Sequence, residues 1–365
     1  MTILSIAIPT YNRLDCLAST LSKMESFAEV EGLKINYCIS ASACNDGTQD
    51  YLSKISENKN NFKINIKRSK RTRWNWIYLK NLIPVDTDWV WLFGDDDIII
   101  HPQGWLPIYK LIQNANNNDA DIISIPPSNR INKEEIHIDT LINLSARFGL
   151  HEVLGWMTSI IMRRSVFINF LNSMQKRFKN VYTDRGLLNT RASPFLHSLI
   201  ILNQNANCNV IFALQNIVDE QINTSEKAAY SLNARNSEFL RERLPFTFSE
   251  YKELIAQNEA TKNISFFRYV NKTFFDVFIN IISENILKNK KLEYIKHELD
   301  ELLYLYNGLN KKSKNRLDNK VVELVDYINS SDAMMQENKS RIISIFYETK
   351  KDYLGNFIGE ELYKS

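Results

Sequence analysis

Residues Trp91–Ile100 read WLFGDDDIII. An aromatic and aliphatic run stops at Gly94, three aspartates follow, and an aliphatic run resumes. Acids are costly to bury without partners. The pattern therefore reads as a core strand that ends by delivering carboxylates into a cleft. Glycine permits the sharp exit from such a strand. Carboxylate oxygens at that point suit Mg2+ or Mn2+, which take their remaining ligands from water and a substrate's phosphates. The plainer reading is a solvated acidic loop or a helix cap.

Outward from this stretch the chain alternates. ILSIAIP (Ile3–Pro9), INYCIS (Ile35–Ser40), FKINIKR (Phe62–Arg68), WVWLF (Trp89–Phe93) and ADIISIP (Ala120–Pro126) are short apolar runs bounded by turn residues. They predict five strands. Between the first two, Leu14, Leu17, Leu21 and Met24 recur at helical spacing. Strand, helix, strand in this order predicts an α/β sheet of parallel type with helices packed on it. Ligands of such sheets collect at the carboxyl ends of the strands. Both PTYNR (Pro9–Arg13) and GDDD (Gly94–Asp97) fall at such ends.

Punctuation divides the chain. The last proline is Pro245, all six tryptophans lie at or before Trp156, and only Gly308, Gly355 and Gly359 follow Gly186. A mixed, turn-rich part over residues 1–245 and a helical part over 246–365 are expected. Thr247 and Glu250 have capping-box spacing. ISFFRYVNKTFFDVFINIISENIL (Ile264–Leu287) has only a narrow polar strip, so burial between other helices is expected, with a membrane surface or a homo-oligomer contact as the alternative.

Composition limits the function classes. The 365 residues carry 24% charged and 44% hydrophobic residues and a formal net charge of +3. With no basic stripe interleaved with aromatics, no nucleic-acid partner is expected. Cys16, Cys38, Cys44 and Cys208 form no CxxC pair and read as reduced thiols of a cytoplasmic protein. The opening MTILSIAIPT lacks a basic n-region and a long apolar core, so no signal peptide is expected. No run of about 18 apolar residues predicts a membrane span.

Three ordered motifs narrow the reading. SIAIPTYNR (Ser5–Arg13), SASACNDGT (Ser40–Thr48) and WVWLFGDDD (Trp89–Asp97) resemble, in order and spacing, the glycosyltransferases of family 2 with the GT-A fold. The likeness is strong over about residues 1–102, the nucleotide-binding half. It weakens to about Asp219, within the acceptor half of about residues 103–245, and says nothing of the rest. It implies an enzyme that moves a sugar from a nucleoside diphosphate donor to a glycan or lipid-linked glycan acceptor in bacterial surface-polysaccharide synthesis, with inversion. Peripheral contact with the inner face of the membrane is compatible with this.

The resemblance also implies roles. Pro9, Thr10 and Tyr11 would line base and ribose, with Arg13 near the phosphates. Ser40 and Ser42 flank Ala41, which stands where the family has a base-reading aspartate. UDP, CDP, dTDP and GDP therefore all stay open. Asn75 matches an asparagine near the donor. Asp95 and Asp96 would face the donor, and Asp95, Asp96 and Asp97 would hold Mn2+ or Mg2+. The family's acidic pair for the general base has no clean match. His197 comes first, in an F-x-H setting like that of abequosyltransferase-like members, then Asp184, then Glu152. The missing pair leaves a rival reading, a non-catalytic protein of this fold that binds glycans or a partner.

Overall fold

The computed structural model describes residues 1–42, 44–67, 74–128, 131, 133–182, 195–220, 250–256, 258–261 and 264, with isolated positions 319, 326, 340 and 344. Its centre is an eight-stranded mixed sheet. Parallel strands β1 (Thr2–Thr10), β2 (Leu33–Ser42) and β3 (Phe62–Lys67) run outward to one edge. The chain then returns to the other side of β1 with the parallel strand β4 (Trp89–Leu92). Strand order reverses at β1/β4, which makes that gap the topological switch point where α/β sheets open a crevice.

Beyond β4 antiparallel strands join the parallel ones and the sheet becomes mixed. A short strand β5 (Asp97–Ile99) leaves the main sheet. Then come β6 (Ala120–Ser124), β7 (Glu135–Thr140), β8 (Ile160–Arg163), β9 (Asn209–Leu214) and β10 (Val218–Glu220). β8 inserts antiparallel between β4 and β6, β9 runs parallel to β6, and β7 closes the edge antiparallel to β9. β10 pairs antiparallel with β5 in a separate two-stranded ribbon.

Both faces of the sheet are covered, which is why its central strands are apolar throughout. In β4, Trp89 and Trp91 point with Phe93 to one face, and Val90 and Leu92 to the other, as the period of two requires. The first face packs on α1 (Leu14–Glu25), α2 (Thr48–Asn58) and α4 (Trp105–Asn117) through Leu17, Leu21, Leu52, Ile108 and Ile112. The second packs on α3 (Trp74–Leu79), α5 (Leu141–Phe148), α6 (Leu150–Leu154), α7 (Arg164–Tyr182) and α8 (Leu196–Asn205). α1 buries Cys16, Leu17, Thr20, Leu21 and Met24, one stripe of a 3.6-residue period. All four cysteines are free, and burial pushes Cys38 and Cys208 up to about 12.

The expected boundary at 245/246, the Thr247 cap and all but the first residue of the Ile264–Leu287 helix lie outside the described residues. Described residues between 250 and 264 pack on α7 and α8. A short π-helical turn (Lys252–Ala256) lies against α8. Tyr251, Ile255 and Ile264 are buried in the same cluster as Phe170, Ile200 and Leu171. Arg177 of α7 makes a forked pair with Glu253 at 3.0 and 2.9 Å. Among the described residues no helix is long and apolar enough to cross a membrane.

Tyr251→Ala removes a large ring from this cluster. It is expected to lower the stability of the α7–α8 side by about 3 kcal/mol, the usual scale for emptying a buried aromatic site, read by denaturant unfolding. No change in the midpoint would mean the segment only rests on the surface.

Candidate active site

The crevice between β1 and β4 is shaped by the turns into which the two strands run. β4 bonds to β1 only as far as Ala7, where the Phe93 amide donates to the Ala7 carbonyl at 3.0 Å. Pro9 lies two residues on and faces the same side, where a missing N–H leaves no ladder bond unmade. Past it the chain turns through Asn12, whose φ of 52° is left-handed, and enters α1 at Arg13.

Asp95 is the anchor of the crevice. It is almost fully buried, and its Oδ2 accepts from the Thr10 hydroxyl at 2.7 Å. Its Oδ1 accepts from Arg13 Nη1 at 2.8 Å, and the same nitrogen lies 2.7 Å from Asp96 Oδ2. Burial pushes the Asp95 carboxyl up, to about 6, against the pull of the Arg13 guanidinium and the Thr10 hydroxyl. Burial also works to lower Arg13, but the two carboxylates outweigh it and raise its pKa, so the guanidinium stays charged. Asp96 keeps about a third of its side chain exposed.

Asp97 goes elsewhere. Its Oδ2 accepts from the Thr158 hydroxyl, and Thr158 Oγ1 accepts in turn from the Gly94 amide at 2.7 Å. Thr158 belongs to the 3-10 turn Met157–Ser159 that leads into β8. A Cβ on Gly94 would overlap the Asp97 carboxylate and crowd Thr158. The glycine is thus required by close approach. Thr20 of α1 donates to the Asp97 carbonyl at 2.8 Å. The acidic turn is held by hydroxyls from β1, α1 and the segment before β8.

A second network supports the first. Asn75 of α3 is buried, and its Nδ2 donates to the Thr10 carbonyl at 2.7 Å. Its Oδ1 accepts from the Ser40 hydroxyl at 3.2 Å. Asn75 and Ser40 therefore lie beneath the crevice and fix the end of β1. Ser42 closes β2. Ala41 is fully buried in the apolar cluster with Leu17 and Leu52, so its methyl reaches no base. Asp46 ties the two turns: it accepts from the Leu14 amide at 2.9 Å and from the Thr48 amide at 3.1 Å. Tyr11 exposes 44% of its surface at the strand end, which leaves a ring face for stacking.

Of the base candidates, His197 and Glu152 lie among the described residues. His197, in the first turn of α8, is buried; its Nε2 lies 3.0 Å from the Leu154 carbonyl. A carbonyl only accepts, so Nε2 carries a proton and any further proton is taken on Nδ1. Leu154 stands four residues before Thr158, so one short segment contacts both His197 and Asp97. Glu152, in α6, lies 3.7 Å from His151. Asp184 lies outside the described residues. Among the described residues, no group of three or more His, Cys, Asp or Glu could hold a metal. Asp95 and Asp96 nevertheless turn hard oxygens toward one cationic nitrogen, and such oxygens suit Mg2+ or Mn2+.

Residues 5–170 match the model of glycosyl transferase family 2. That match covers somewhat less than half of the chain. Abequosyltransferase RfbV of Salmonella typhimurium is 33% identical over 121 residues, which are 33% of this chain and 34% of that protein. The match thus spans about a third of the curated relative's length. S. aureus TarS 1-349 is similar in structure at a TM-score of 0.51 and 13% identity, covering 95% of this chain and 92% of that one. That likeness shows the fold. The matched part has the α/β GT-A fold, with its acidic turn at the switch point.

Sequence reasoning did not single out Thr158 or Thr20, because a buried threonine carries no local signal of what it bonds. Thr158→Val keeps the shape and removes the hydroxyl. It is expected to cost about 2–3 kcal/mol, the scale of stripping a hydrogen bond from a buried amide and a buried carboxylate, with Thr158→Ser close to wild type. Equal unfolding midpoints for the valine and wild-type proteins would show that the clamp contributes nothing.

Proposed function

We propose that the chain transfers a sugar from a nucleoside diphosphate donor to a glycan or lipid-linked glycan acceptor, with inversion, in bacterial surface-glycan synthesis. One observation carries the reading: Thr10 and Arg13 after β1 meet Asp95 and Asp96 after β4 at the switch point of a family 2 domain. The RfbV likeness supports the sugar-transfer class, since that relative is named as an abequosyltransferase.

In this reading Tyr11 stacks on the base and the end of β1 holds the ribose. Arg13 offers a forked donor to the diphosphate. Asp95 and Asp96 would hold Mn2+ or Mg2+, which neutralises charge on the departing diphosphate. Asp97, through Thr158, keeps the turn in place. His197 takes the proton of the acceptor hydroxyl, with Asp184 as the second candidate and Glu152 as the third. Ala41 leaves the nucleotide open among UDP, CDP, dTDP and GDP. Residues 246–365 would serve the acceptor, a second copy or the inner face of the membrane.

The rival is a non-catalytic GT-A protein that binds glycans or a partner. The tie between His197 and the Leu154 carbonyl favours it, because a histidine so held can be purely structural.

Thermal shifts with the four nucleoside diphosphates, each with and without Mn2+, are the first test. At a hundredfold excess over Kd, a bound nucleotide stabilises by about 2.7 kcal/mol. A rise in melting temperature for one nucleotide, larger with Mn2+ and lost in Asp95→Asn/Asp96→Asn, is expected. No shift with any of them would remove the transferase reading. For proton transfer, His197→Ala is expected to lower turnover roughly a hundredfold or more with donor binding intact. Loss of donor binding as well would mark the histidine as structural.

A further inference from the structure

Asp95 and Asp96 already share a cation, and it belongs to the chain. Arg13 Nη1 stands 2.8 Å from an oxygen of one and 2.7 Å from an oxygen of the other. We propose that Arg13 is a tethered counter-cation that keeps this pair of carboxylates closed to a divalent ion until a nucleoside diphosphate draws the guanidinium away. The proposal rests on the metal-dependent transferase reading above.

Three features support it. A guanidinium nitrogen and a metal ion cannot occupy the same place between two oxygens, and their charges repel at that range. The acids differ in freedom. Asp95 is buried and stays anchored by the Thr10 hydroxyl whether or not Arg13 remains. Asp96 is a third exposed and can turn. Arg13 also stands where the loop after β1 enters α1, beside the place a diphosphate would lie, and phosphate oxygens match its planar fork as well as carboxylates do.

Every charge then has a partner in both states. In the closed state the guanidinium neutralises the two acids. In the open state it pairs with the diphosphate, and the acids are left to the divalent ion. Nucleotide and metal would raise each other's affinity by the same factor, as linkage demands. A lone metal ion would bind weakly, because it must displace Arg13 with nothing to receive it.

The test is Mn2+ binding to the full chain at pH 8 without nucleotide, read from the electron paramagnetic resonance of free Mn2+. Arg13→Met removes the charge and keeps the bulk. It is expected to bind Mn2+ at least about tenfold more tightly than wild type, while Arg13→Lys stays within about threefold of it. Circular dichroism and melting verify the fold. Arg13→Gln, which can still donate to Asp95, gives the same readout where the methionine variant does not fold. Neutral variants that are folded but bind Mn2+ no more tightly than wild type overturn the proposal. If wild type binds Mn2+ together with UDP, CDP, dTDP or GDP in that case, the transferase reading stands without it. If neither protein binds Mn2+ with any of the four, both fall.

Discussion

A carboxylate buried at the end of a central strand must be neutralised or heavily hydrogen-bonded, and Asp95 imposes that requirement on everything near it. Its partners come from the other side of the switch point, Thr10 within β1 and Arg13 just past it. To reach Asp95, the loop after β1 must turn back over the crevice, which it does through a left-handed asparagine. Asn75 then fixes the Thr10 carbonyl, and Ser40 fixes Asn75. The floor of the site is therefore a chain of bonds from β2 through α3 and β1 to β4. In a low-dielectric setting such a chain is worth keeping whole, because each unmet member is expensive.

The acidic turn divides its three aspartates by environment. Asp95 faces the end of β1 through Thr10 and Arg13, while Asp97 faces the segment before β8 through Thr158. Asp96, between them, is the most exposed of the three. Consecutive side chains in a turn cannot all point one way, so three acids in a row supply two directions of anchoring and one partly exposed carboxylate. Thr158 matters here because it is the contact by which the segment before β8 senses the turn after β4. The same segment carries the Leu154 carbonyl that holds His197. Asp97 and His197 are thus linked through the five residues from Leu154 to Thr158.

Much of the fold was legible because its strands are bounded by glycine, proline and asparagine and are apolar on both faces. The five runs read as strands all are strands, and the acidic turn does sit at a carboxyl end. Other elements were not legible. In β7, Ile136 and Ile138 point outward and His137 packs inward against Phe148 and Phe212, so its alternation misleads about which face is buried. α3, which carries Asn75, has six residues, too few to show a helical period. β5 and β10 are three residues each and exist only by pairing with one another.

The sequence by itself determined the class of sheet, the order of the three turn motifs and the presence of carboxylates at a strand end. These follow from local patterns: side-chain period, turn chemistry and the high cost of burying acids. Tertiary structure alone decided what the acids do. Whether an aspartate pairs with Arg13, takes a hydroxyl from Thr158 or faces solvent depends on residues some 60 to 85 positions away. It also decided that Asn75 lies under the crevice and that Ala41 is sealed in the core. Such contacts are set by how strands cross at the switch point, and no window of sequence contains both partners.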